Sequence, residues 1–399
     1  MKDHRVLSGM RPTGKLHLGH YHGALKNWLE LQNKYDSYYF VADWHAFTTH
    51  YSDKIDLESY TIDMVIDWLA AGINPNTSTI FVQSKVPEHA ELHLLLSMTT
   101  PVSWLERVPS YKDQQEKLKT KDLATYGFLG YPVLQSSDIL MYKAGFVPVG
   151  EDQAAHVELT REIARRFNYV YGREADFEKK AEIAASKMGK KQSKLYRNLR
   201  KSYQETGDGE ALVKAKALLS EQKNITHGDR ERLLGYIEGV GKIILVEPEA
   251  LLTKNSKMPG LDGQKMSKSY NNGIFLRDSD SEVEQKVNKM VTDPARVRLT
   301  DPGDPNKCPV WNLHEIYSTP DQLDWVVDGC KSAKMGCIEC KRPVIDSIVA
   351  ELKPIQESIE KYKSEPNLIQ EIIFDGSERA RSVAKETMQE VRDAMGLTY

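Results

Sequence analysis

Short apolar runs alternate with amphipathic stretches along the first 172 residues of the chain. The apolar runs predict strands over 5–10, 38–43, 79–83 and 146–149. The amphipathic stretches predict helices over 57–71, 87–99, 134–143 and 152–171. Alternation of this kind favours a parallel sheet with helices wound around it. We therefore expect an α/β fold with a Rossmann-like domain over 1–173.

From residue 281 onward the pattern is helical almost to the end of the chain. Amphipathic periodicity predicts helices over 281–291, 345–362, 366–373 and 378–395. We therefore expect an all-helical domain over 281–399 behind the sheet domain. The residues between the two domains divide into a helical insertion over 174–245 and a polar, glycine-containing loop segment over 246–280.

Composition and charge limit the function only loosely. The chain has 399 residues, enough for two or three domains with a sizeable core, and its formal net charge is −3. Any indication of a nucleic-acid partner must therefore come from local charge. The sequence shows no basic flank followed by an apolar segment at its start and no apolar run of about 18 residues. These features predict a soluble, cytoplasmic enzyme without a membrane span.

The first candidate for chemistry is the tetrad His17-Leu18-Gly19-His20. It follows the first predicted strand and the turn Pro12-Thr13-Gly14-Lys15, and a helical pattern begins directly after it. The free amides and dipole of a helix N-terminus attract anions, and two imidazoles there can donate hydrogen bonds to phosphate oxygens. Gly19 leaves room for a flat base against the backbone, where a Cβ would clash. The segment therefore predicts a phosphate-binding cradle.

The second candidate is the polar loop Lys265-Met266-Ser267-Lys268-Ser269. The segment directly before it, 260–264, contains two glycines. Its two ammonium groups are suited to contact with a triphosphate. Taken together and in this order, the two motifs resemble the HIGH and KMSKS signatures of the class I aminoacyl-tRNA synthetases. The resemblance implies that the catalytic domain lies over 1–173 and that the loop segment over 246–280 completes its active site.

The same resemblance implies specific roles for the residues of the two motifs. The catalytic residues would be His17, His20, Lys265 and Lys268. The ATP site would include Met10, Arg11, Thr13, His17, Gly19, His20, Asp152, Lys265, Met266, Ser267 and Lys268. Mg²⁺ would bridge the phosphates of ATP. In-line attack of an amino-acid carboxylate on the α-phosphorus would then be promoted by positioning and by stabilisation of the leaving pyrophosphate.

Two further segments, 131–138 and 147–153, lie on either side of a short connection. A strand end followed by a helix start is where α/β sheets place ligand-binding residues. From residue chemistry, Asp152 and Gln153 can bond ribose hydroxyls and an ammonium group. Asp138 is either an ordinary helix-start carboxylate or a buried acceptor that needs a donor such as an indole N–H.

These segments and Val41-Ala42-Asp43-Trp44-His45-Ala46 resemble the tryptophanyl-tRNA synthetases closely and the tyrosyl enzymes less so. The resemblance implies that Asp138 binds the indole nitrogen, that Tyr131 and Gln153 bind the α-ammonium, and that Asp152 holds ribose. The implied tryptophan site consists of Ser8, Gly9, His45, Tyr131, Gln135, Asp138, Val147, Val149 and Gln153. Gln135 departs from the methionine that many members of the family carry.

The resemblance implies a tryptophan–tRNA ligase that forms tryptophanyl-adenylate from L-tryptophan and ATP and then charges tRNA(Trp). It also implies a homodimer and an anticodon-binding function for the domain over 281–399. The alternatives are a tyrosine–tRNA ligase, a small-molecule nucleotidyltransferase and a non-catalytic RNA-binding paralogue of a synthetase. Complete retention of both motifs argues against the last of these.

All four cysteines of the chain lie within 33 residues, at Cys308, Cys330, Cys337 and Cys340. Such clustering favours metal ligation, and a cytosolic location disfavours disulfides. Structural zinc usually binds two closely spaced cysteine pairs, whereas this chain has only one Cys-x-x-Cys pair, so zinc stays an alternative. The spacing resembles a four-iron four-sulfur site found in a subset of tryptophanyl-tRNA synthetases. The adjacent Lys341 and Arg342 are candidates for contact with anticodon phosphates or for a solvated helix start.

The stretch from Lys187 to Lys201 contains seven basic residues and no acidic residue. One interpretation is a solvated helix face, and the other is contact with the tRNA backbone. Its first five residues, Lys187-Met188-Gly189-Lys190-Lys191, look superficially like the KMSKS motif. They lack the serines and fall within a helical pattern, so we do not assign them to the active site.

Overall fold

A computed structural model describes residues 5–108, 125–150, 153–239, 241–252 and 258–399. The described residues contain a five-stranded sheet surrounded by helices, with strand order β3-β2-β1-β4-β5. The strands are β1 Arg5–Met10, β2 Asp36–Val41, β3 Ser78–Val82, β4 Phe146–Val149 and β5 Glu249–Leu252. Strands β1, β2 and β3 are parallel, with Gly9 beside Phe40 and Phe40 beside Phe81. The predicted α/β fold class is confirmed.

The predicted strands over 5–10 and 146–149 agree with the structure, whereas the other two begin and end earlier than predicted. Strand β2 ends at Val41 because Asp43 begins a helix. The Asp43 carboxylate accepts hydrogen bonds from the backbone amides of Trp44 and Ser84, both at 3.1 Å. Asp43 therefore links the end of β2 to the residues that directly follow β3 through hydrogen bonds.

The helices up to β5 include those predicted from periodicity. They are α1 Leu18–His20, α2 Lys26–Lys34, α3 Asp43–His50, α4 Leu57–Ala70, α5 Glu88–Ser97, α6 Val102–Glu106, α7 Tyr126–Leu129, α8 Tyr131–Met141, α9 Ala154–Tyr171, α10 Phe177–Lys187, α11 Lys190–Thr206, α12 Gly209–Ser220 and α13 His227–Glu238. A π-helical turn, Tyr21–Leu25, joins α1 to α2. The sequence predicted a helix from residue 21, but helical structure begins three residues earlier, inside the first motif.

The C-terminal part of the chain is helical, as predicted. Its helices are α14 Asp280–Lys289, α15 Pro309–Tyr317, α16 Pro320–Lys331, α17 Cys337–Lys363 and α18 Pro366–Met395. Helix α18 is continuous where the sequence predicted two helices, over 366–373 and 378–395. None of the helices that the structure describes is long and apolar enough to cross a membrane.

The chain forms two compact units. The first unit comprises the described residues of 1–85, 148–150 and 252–378. At its centre Trp28 stacks on Tyr39 at 4.4 Å and meets Trp68 edge-on at 5.1 Å. The same core includes Leu16, Leu18, Met266, Ile274, Leu276, Val344, Ile345 and Ile348. Both sequence motifs and helix α17 are therefore fixed to one core.

The second unit comprises the described residues of 86–147, 151–251 and 379–399. Within it, helices α10 to α13 enclose a small core that includes Ala181, Ala185, Tyr196, Leu219, Leu233 and Ile237. The expectation that 187–191 lies within a helix is wrong. Helix α10 ends at Lys187 and α11 begins at Lys190, because Gly189 adopts a φ of 85° that interrupts the helix. The functional domain boundaries given above stay a prediction.

Candidate active site

The turn that leads into the first motif is shaped by glycine and anchored by leucine. Gly14 adopts a φ of 114°, a left-handed conformation that residues with a Cβ rarely adopt. Leu16 and Leu18 on either side of His17 are 1% and 0% exposed, respectively. Since both neighbours are held in the core, the backbone of His17 has little freedom, and helix α1 begins directly after it.

The first motif pairs with the segment that follows the second motif. The backbone amide of Leu18 donates to the carbonyl of Ile274 at 2.9 Å, and the amide of Leu276 donates to the carbonyl of Leu16 at 3.0 Å. His17 and Phe275 thus form an antiparallel bridge. This pairing brings the lysine-containing loop to the start of helix α1.

Lys268 contacts the turn before the first motif. Its Nζ donates to the carbonyl oxygen of Gly14 at 2.7 Å, although the two residues are 254 positions apart. Burial and the nearby Arg11 guanidinium lower the pKa of Lys268 to about 8. The convergence of the two motifs that the sequence predicted is therefore present in the structure.

The two motif histidines lie against each other and are neutral at pH 7. Their ring centroids are 3.8 Å apart. Burial and the Lys268 ammonium lower the pKa of His17 to about 4, and burial and His17 lower the pKa of His20 well below its usual value. His20 Nδ1 accepts from the His17 amide at 3.3 Å, which leaves the proton of a neutral His20 on Nε2 as a donor.

The space beside Gly19 is occupied by the motif itself. A Cβ at Gly19 would lie 2.9 Å from the imidazole ring of His17. The glycine therefore permits close packing of that ring, a constraint the sequence did not predict. His17 Nδ1 is buried and has no hydrogen-bond partner in the described part of the chain. A buried nitrogen in this state favours a ligand that supplies the missing partner.

Asn272 holds the lysine-containing loop in shape, and sequence reasoning missed it. Its side chain is buried, and its Oδ1 accepts from the Ser267 amide at 2.7 Å. Its Nδ2 donates to Asp262 Oδ1 at 2.7 Å and to the Lys265 carbonyl at 3.3 Å. In the sequence, Asn271-Asn272-Gly273 resembles any polar turn, so no local signal distinguishes Asn272.

Two partly buried ion pairs also support the segment after the loop and were not predicted. Arg277 donates to Asp67 at 2.8 Å and to Asp63 at 2.6 Å, both on helix α4. Burial raises the pKa of Asp67 to about 6, although Arg277 acts in the opposite direction. From helix α17, Gln356 Nε2 donates to the carbonyls of Leu276 and Asp278. Helices α4 and α17 thus fix the strand-like segment that pairs with His17.

The first unit also contains several of the predicted ligand-binding residues. Exposed Arg11 and half-buried Thr13 precede Gly14 in the turn, and Lys265 is exposed at the start of the loop. The remaining ones in this unit are Ser8, Gly9 and Met10 on β1, His45 on α3, Val149 at the end of β4, and Met266 and Ser267 in the loop.

Lys268, Lys265 and Arg11 place positive charge around the two neutral imidazoles of His17 and His20. This arrangement suits a polyphosphate anion.

In the second unit, Tyr131, Gln135 and Asp138 lie on helix α8 at a spacing that gives them one face. The Asp138 carboxylate is 1% exposed and accepts from His89 Nδ1 at 2.6 Å. His89 Nε2 lies 2.7 Å from the hydroxyl of Tyr142. Asp138 is therefore a buried acceptor with a partner, and the interpretation as a helix-start carboxylate is wrong.

The other predicted residues of this unit lie near the start of helix α9. Gln135 Oε1 accepts from His156 Nδ1 at 2.6 Å, and the His156 ring meets the Tyr131 ring edge-on at 5.6 Å. Gln153 is half-buried immediately before α9, and Val147 is buried in β4. Asp152 lies outside the described residues. His89 and His156 were missed because nothing in the sequence links them to helix α8.

The four cysteines meet in the first unit. Cys308, Cys330, Cys337 and Cys340 line one pocket together with Arg296 and Lys341. Cys308 immediately precedes α15, Cys330 lies in the last turn of α16, and the other two lie in the first turn of α17. Burial and the neighbouring thiols raise the pKa of Cys340 to about 12. The four thiols therefore lie around one pocket, at the start of α15, the end of α16 and the start of α17.

The two basic residues beside the cysteines are not both available for a phosphate. Lys341 is 2% exposed, and its Nζ donates to the carbonyls of Asn288 and Met290 at 2.8 and 2.7 Å. The proposed contact of Lys341 with anticodon phosphates is therefore wrong. Arg342 is exposed and pairs with Glu284 and Asp346, both at 3.0 Å.

The chain is similar to known proteins over most of its length. A family profile described as tRNA synthetases class I (W and Y) matches residues 1–201 and 228–353. A curated protein from Ralstonia nicotianae named Tryptophan–tRNA ligase is 63% identical over 399 residues and is covered completely, as is this chain. A protein of the same name from Thermotoga maritima is 45% identical, over 99% of this chain and 100% of that one.

A solved structure has a fold similar to that of this chain. The tryptophanyl-tRNA synthetase from Campylobacter jejuni, solved with ADP and tryptophan, has a TM-score of 0.71 and 27% sequence identity. The match covers 98% of this chain and 99% of that chain. The correspondence therefore extends over both compact units.

Proposed function

The chain belongs to the tRNA synthetases class I (W and Y), and from this premise we propose that it is a tryptophan–tRNA ligase. It activates L-tryptophan with ATP to give tryptophanyl-adenylate and pyrophosphate. The tryptophanyl group then passes to tRNA(Trp). The single observation that carries the proposal is the contact of Lys268 with Gly14, which joins the two motifs around one anion-binding turn.

In the first step the tryptophan carboxylate attacks the α-phosphorus of ATP in line, and pyrophosphate leaves. His17, His20 and Thr13 hold the triphosphate, and the Nε2–H of His20 is oriented as a donor by the His17 amide. Lys265 and Lys268 stabilise the charge that develops on pyrophosphate. Mg²⁺, which class I synthetases generally use with ATP, would when bound supply further positive charge to the phosphates. Asn272 acts as a positioning residue because it fixes the backbone of Ser267 and Lys265.

In the second step, a hydroxyl of the 3′-terminal adenosine of the tRNA attacks the activated carbonyl and releases AMP. No residue of the chain forms a covalent intermediate in this scheme. The proton of that hydroxyl passes to the departing adenylate phosphate. The protein contributes positioning in both steps.

Selection of tryptophan is assigned to Asp138, with Tyr131 and Gln153 at the α-ammonium and Asp152 at the ribose. When a smaller amino acid binds, the buried Asp138 carboxylate loses the hydrogen bond that the indole N–H would donate, which penalises the competitor. His89 holds the Asp138 carboxylate in place. Gln135 accepts a hydrogen bond from His156, so its side chain is held on the face of α8 that also carries Tyr131 and Asp138.

The decisive test is ATP–pyrophosphate exchange with each of the twenty amino acids. We expect exchange with tryptophan and background exchange with the other nineteen, tyrosine included. Exchange with tyrosine in place of tryptophan would establish the sibling activity. Binding of tRNA(Trp) without exchange for any amino acid would establish a non-catalytic paralogue.

The proposal extends to assembly, location and tRNA recognition. We propose a homodimer that works in the cytoplasm, where tRNA is charged for protein synthesis. The helical domain over 281–399 is proposed to bind the anticodon. The loop segment over 246–280 completes the active site of the catalytic domain over 1–173.

We also propose that the four cysteines hold a four-iron four-sulfur cluster. The donor set fits, because four thiols converge and Arg296 Nη1 lies 4.0 Å from Cys330 Sγ, where it offsets thiolate charge. Structural zinc usually binds two closely spaced cysteine pairs, whereas only Cys337 and Cys340 form such a pair here. This arrangement favours a polynuclear cluster, with zinc as the alternative.

Such a cluster would cross-link the ends of α15, α16 and α17 when bound. It supplies no chemistry to the aminoacylation reaction, because no electron is transferred there. Its role is therefore structural or related to tRNA recognition. Arg296 also donates to the carbonyl of Leu299 at 3.2 Å, so the same side chain connects the cysteine pocket to the loop before α15.

Metal and sulfide analysis of anaerobically purified protein tests the cluster. We expect about four iron and four acid-labile sulfide per chain. Cys337→Ser should lower both contents, whereas Ser332→Ala, in the same region, should leave them unchanged. One zinc per chain without sulfide would refute the cluster while leaving the enzyme assignment intact.

A further inference from the structure

Helix α11 carries a row of lysines on its outer face. Lys190, Lys194 and Lys201 lie within a narrow arc of the helix, because they are spaced by four and seven residues. All three are exposed. We call this set the lysine stripe. It extends along about 16 Å of the helix, given a rise of about 1.5 Å per residue.

The orientation of α11 is fixed by its buried face. The hydroxyl of Tyr196 donates to the Leu233 carbonyl, and Arg200 lies over the Tyr236 ring at 3.7 Å while its Nε donates to the Tyr236 carbonyl. Ser193 is buried on the same side. Since the helix is anchored at three points to α13, the lysine stripe is held toward solvent.

Many lysines on neighbouring helices of this unit are neutralised by carboxylates. Close ion pairs join Lys180 to Glu174, Lys187 to Asp229, Lys214 to Glu210 and Lys216 to Glu238, at 2.7 to 3.0 Å. By contrast, Lys190 and Lys194 form no ion pair with any residue between 153 and 239 that the structure describes. Lys201 lies 4.0 Å from Glu205, farther than the partners in the pairs above, so its charge is less well compensated.

We propose that the lysine stripe binds phosphates of the tRNA backbone. The inference rests on the proposed function, which supplies tRNA as the polyanion. Flexible lysine stems place point charges on phosphate oxygens without reading base sequence. A row of lysines with little compensating charge gives this face of α11 a local attraction for tRNA, which the net charge of −3 does not supply. The stripe therefore contributes affinity and orientation, not recognition of tRNA(Trp).

The test compares two triple variants with equal change in charge. The stripe variant is Lys190→Gln, Lys194→Gln and Lys201→Gln. The control is Lys179→Gln, Lys214→Gln and Lys216→Gln, which removes exposed lysines from α10 and α12 of the same unit. Measurements are tryptophan-dependent ATP–pyrophosphate exchange, the KM for tRNA in aminoacylation, and the dependence of tRNA binding on salt.

For the stripe variant we expect unchanged exchange and a KM for tRNA at least tenfold higher at about 0.15 M salt. The slope of log affinity against log salt should become shallower by about 2 to 3, since three phosphate contacts are lost. The control should keep the wild-type KM and slope. If the stripe triple does not fold, Lys194→Gln alone should change the slope by about 0.7 to 0.9.

Equal KM values and salt slopes for the stripe variant and the control would overturn the inference. That result leaves tryptophan-dependent exchange intact, so the proposed function would stand. Absence of exchange in the wild-type protein would instead refute the proposed function. The salt slope for direct binding of tRNA would then still show whether the stripe contacts phosphates.

Discussion

Replacement of Lys268 by alanine is expected to lower tryptophan-dependent ATP–pyrophosphate exchange about a hundred- to a thousandfold. The ammonium lies on the turn before the first motif, where its Nζ is 2.7 Å from the Gly14 carbonyl. The two motif histidines have lowered pKa values and are neutral at pH 7, so they cannot replace the lost charge. The rate should fall with little change in the KM for tryptophan, because the charge acts on the leaving pyrophosphate.

The exposed Lys15, next to Gly14 in the same turn, provides a matched control. Lys15→Ala removes one positive charge from the turn that Lys268 contacts and should retain exchange within about threefold, as expected for a screened surface charge. Unchanged exchange in Lys268→Ala would contradict the assigned role. A loss of equal size in both variants would indicate a general electrostatic effect of the turn.

The pH dependence supplies an independent readout of the same group. Burial and Arg11 lower the pKa of Lys268 to about 8, so the ammonium is present below that pH and is lost above it. For the free enzyme, kcat/KM for ATP should therefore fall as the pH rises through about 8. Lys268→Arg should remove this alkaline limb, because a guanidinium stays protonated throughout that range. A limb that persists in Lys268→Arg would assign it to another group.

Replacement of Asp138 by asparagine is expected to lower kcat/KM for tryptophan about ten- to a hundredfold, with the KM for ATP unchanged. The substitution keeps the shape of the side chain and removes the charge that strengthens its hydrogen bonds, which is worth about 1.5–3 kcal/mol in a buried setting. It also weakens the 2.6 Å contact with His89 Nδ1, so the orientation of the side chain is less well defined. Initial rates of exchange at varied tryptophan concentration measure the effect.

Ser137 is the matched control for Asp138. It is buried in the same helix and donates to the Leu134 carbonyl at 2.7 Å, so Ser137→Ala perturbs α8 without removing a charge. We expect that variant to keep kcat/KM for tryptophan within about threefold. If Asp138→Asn behaves like Ser137→Ala, the carboxylate is a structural partner of His89 and another residue selects tryptophan.

Local patterns were sufficient for the strands, most helices and the two motifs. The strand over 5–10 agrees with the structure because a short apolar run indicates the burial of an element without reference to its partner. The helix over 57–71 was predicted for the same reason. Predictions failed where a single residue overrides the pattern, as Gly189 does between α10 and α11 and as Asp43 does at the end of β2.

Residues that support the site could not be predicted, because their importance lies in contacts between distant segments. Asn272 resembles a turn residue until its side chain is seen to bridge Ser267 and Asp262. Lys341 resembles a surface cation beside the cysteines, yet its ammonium is satisfied by two buried carbonyls. Hydrogen-bond satisfaction inside a protein is a property of the folded neighbourhood, and sequence periodicity carries no information about it.

The sequence by itself determined the α/β class, the identity of the two motifs and the types of groups available for ATP, tryptophan and metal. Those are local properties, set by side-chain chemistry and by the periodicity of each element. Only the tertiary structure decided that Lys268 contacts Gly14, that His89 holds Asp138, and that the four thiols share one pocket. Such pairings depend on how buried surfaces pack together, and packing is decided by the whole core at once.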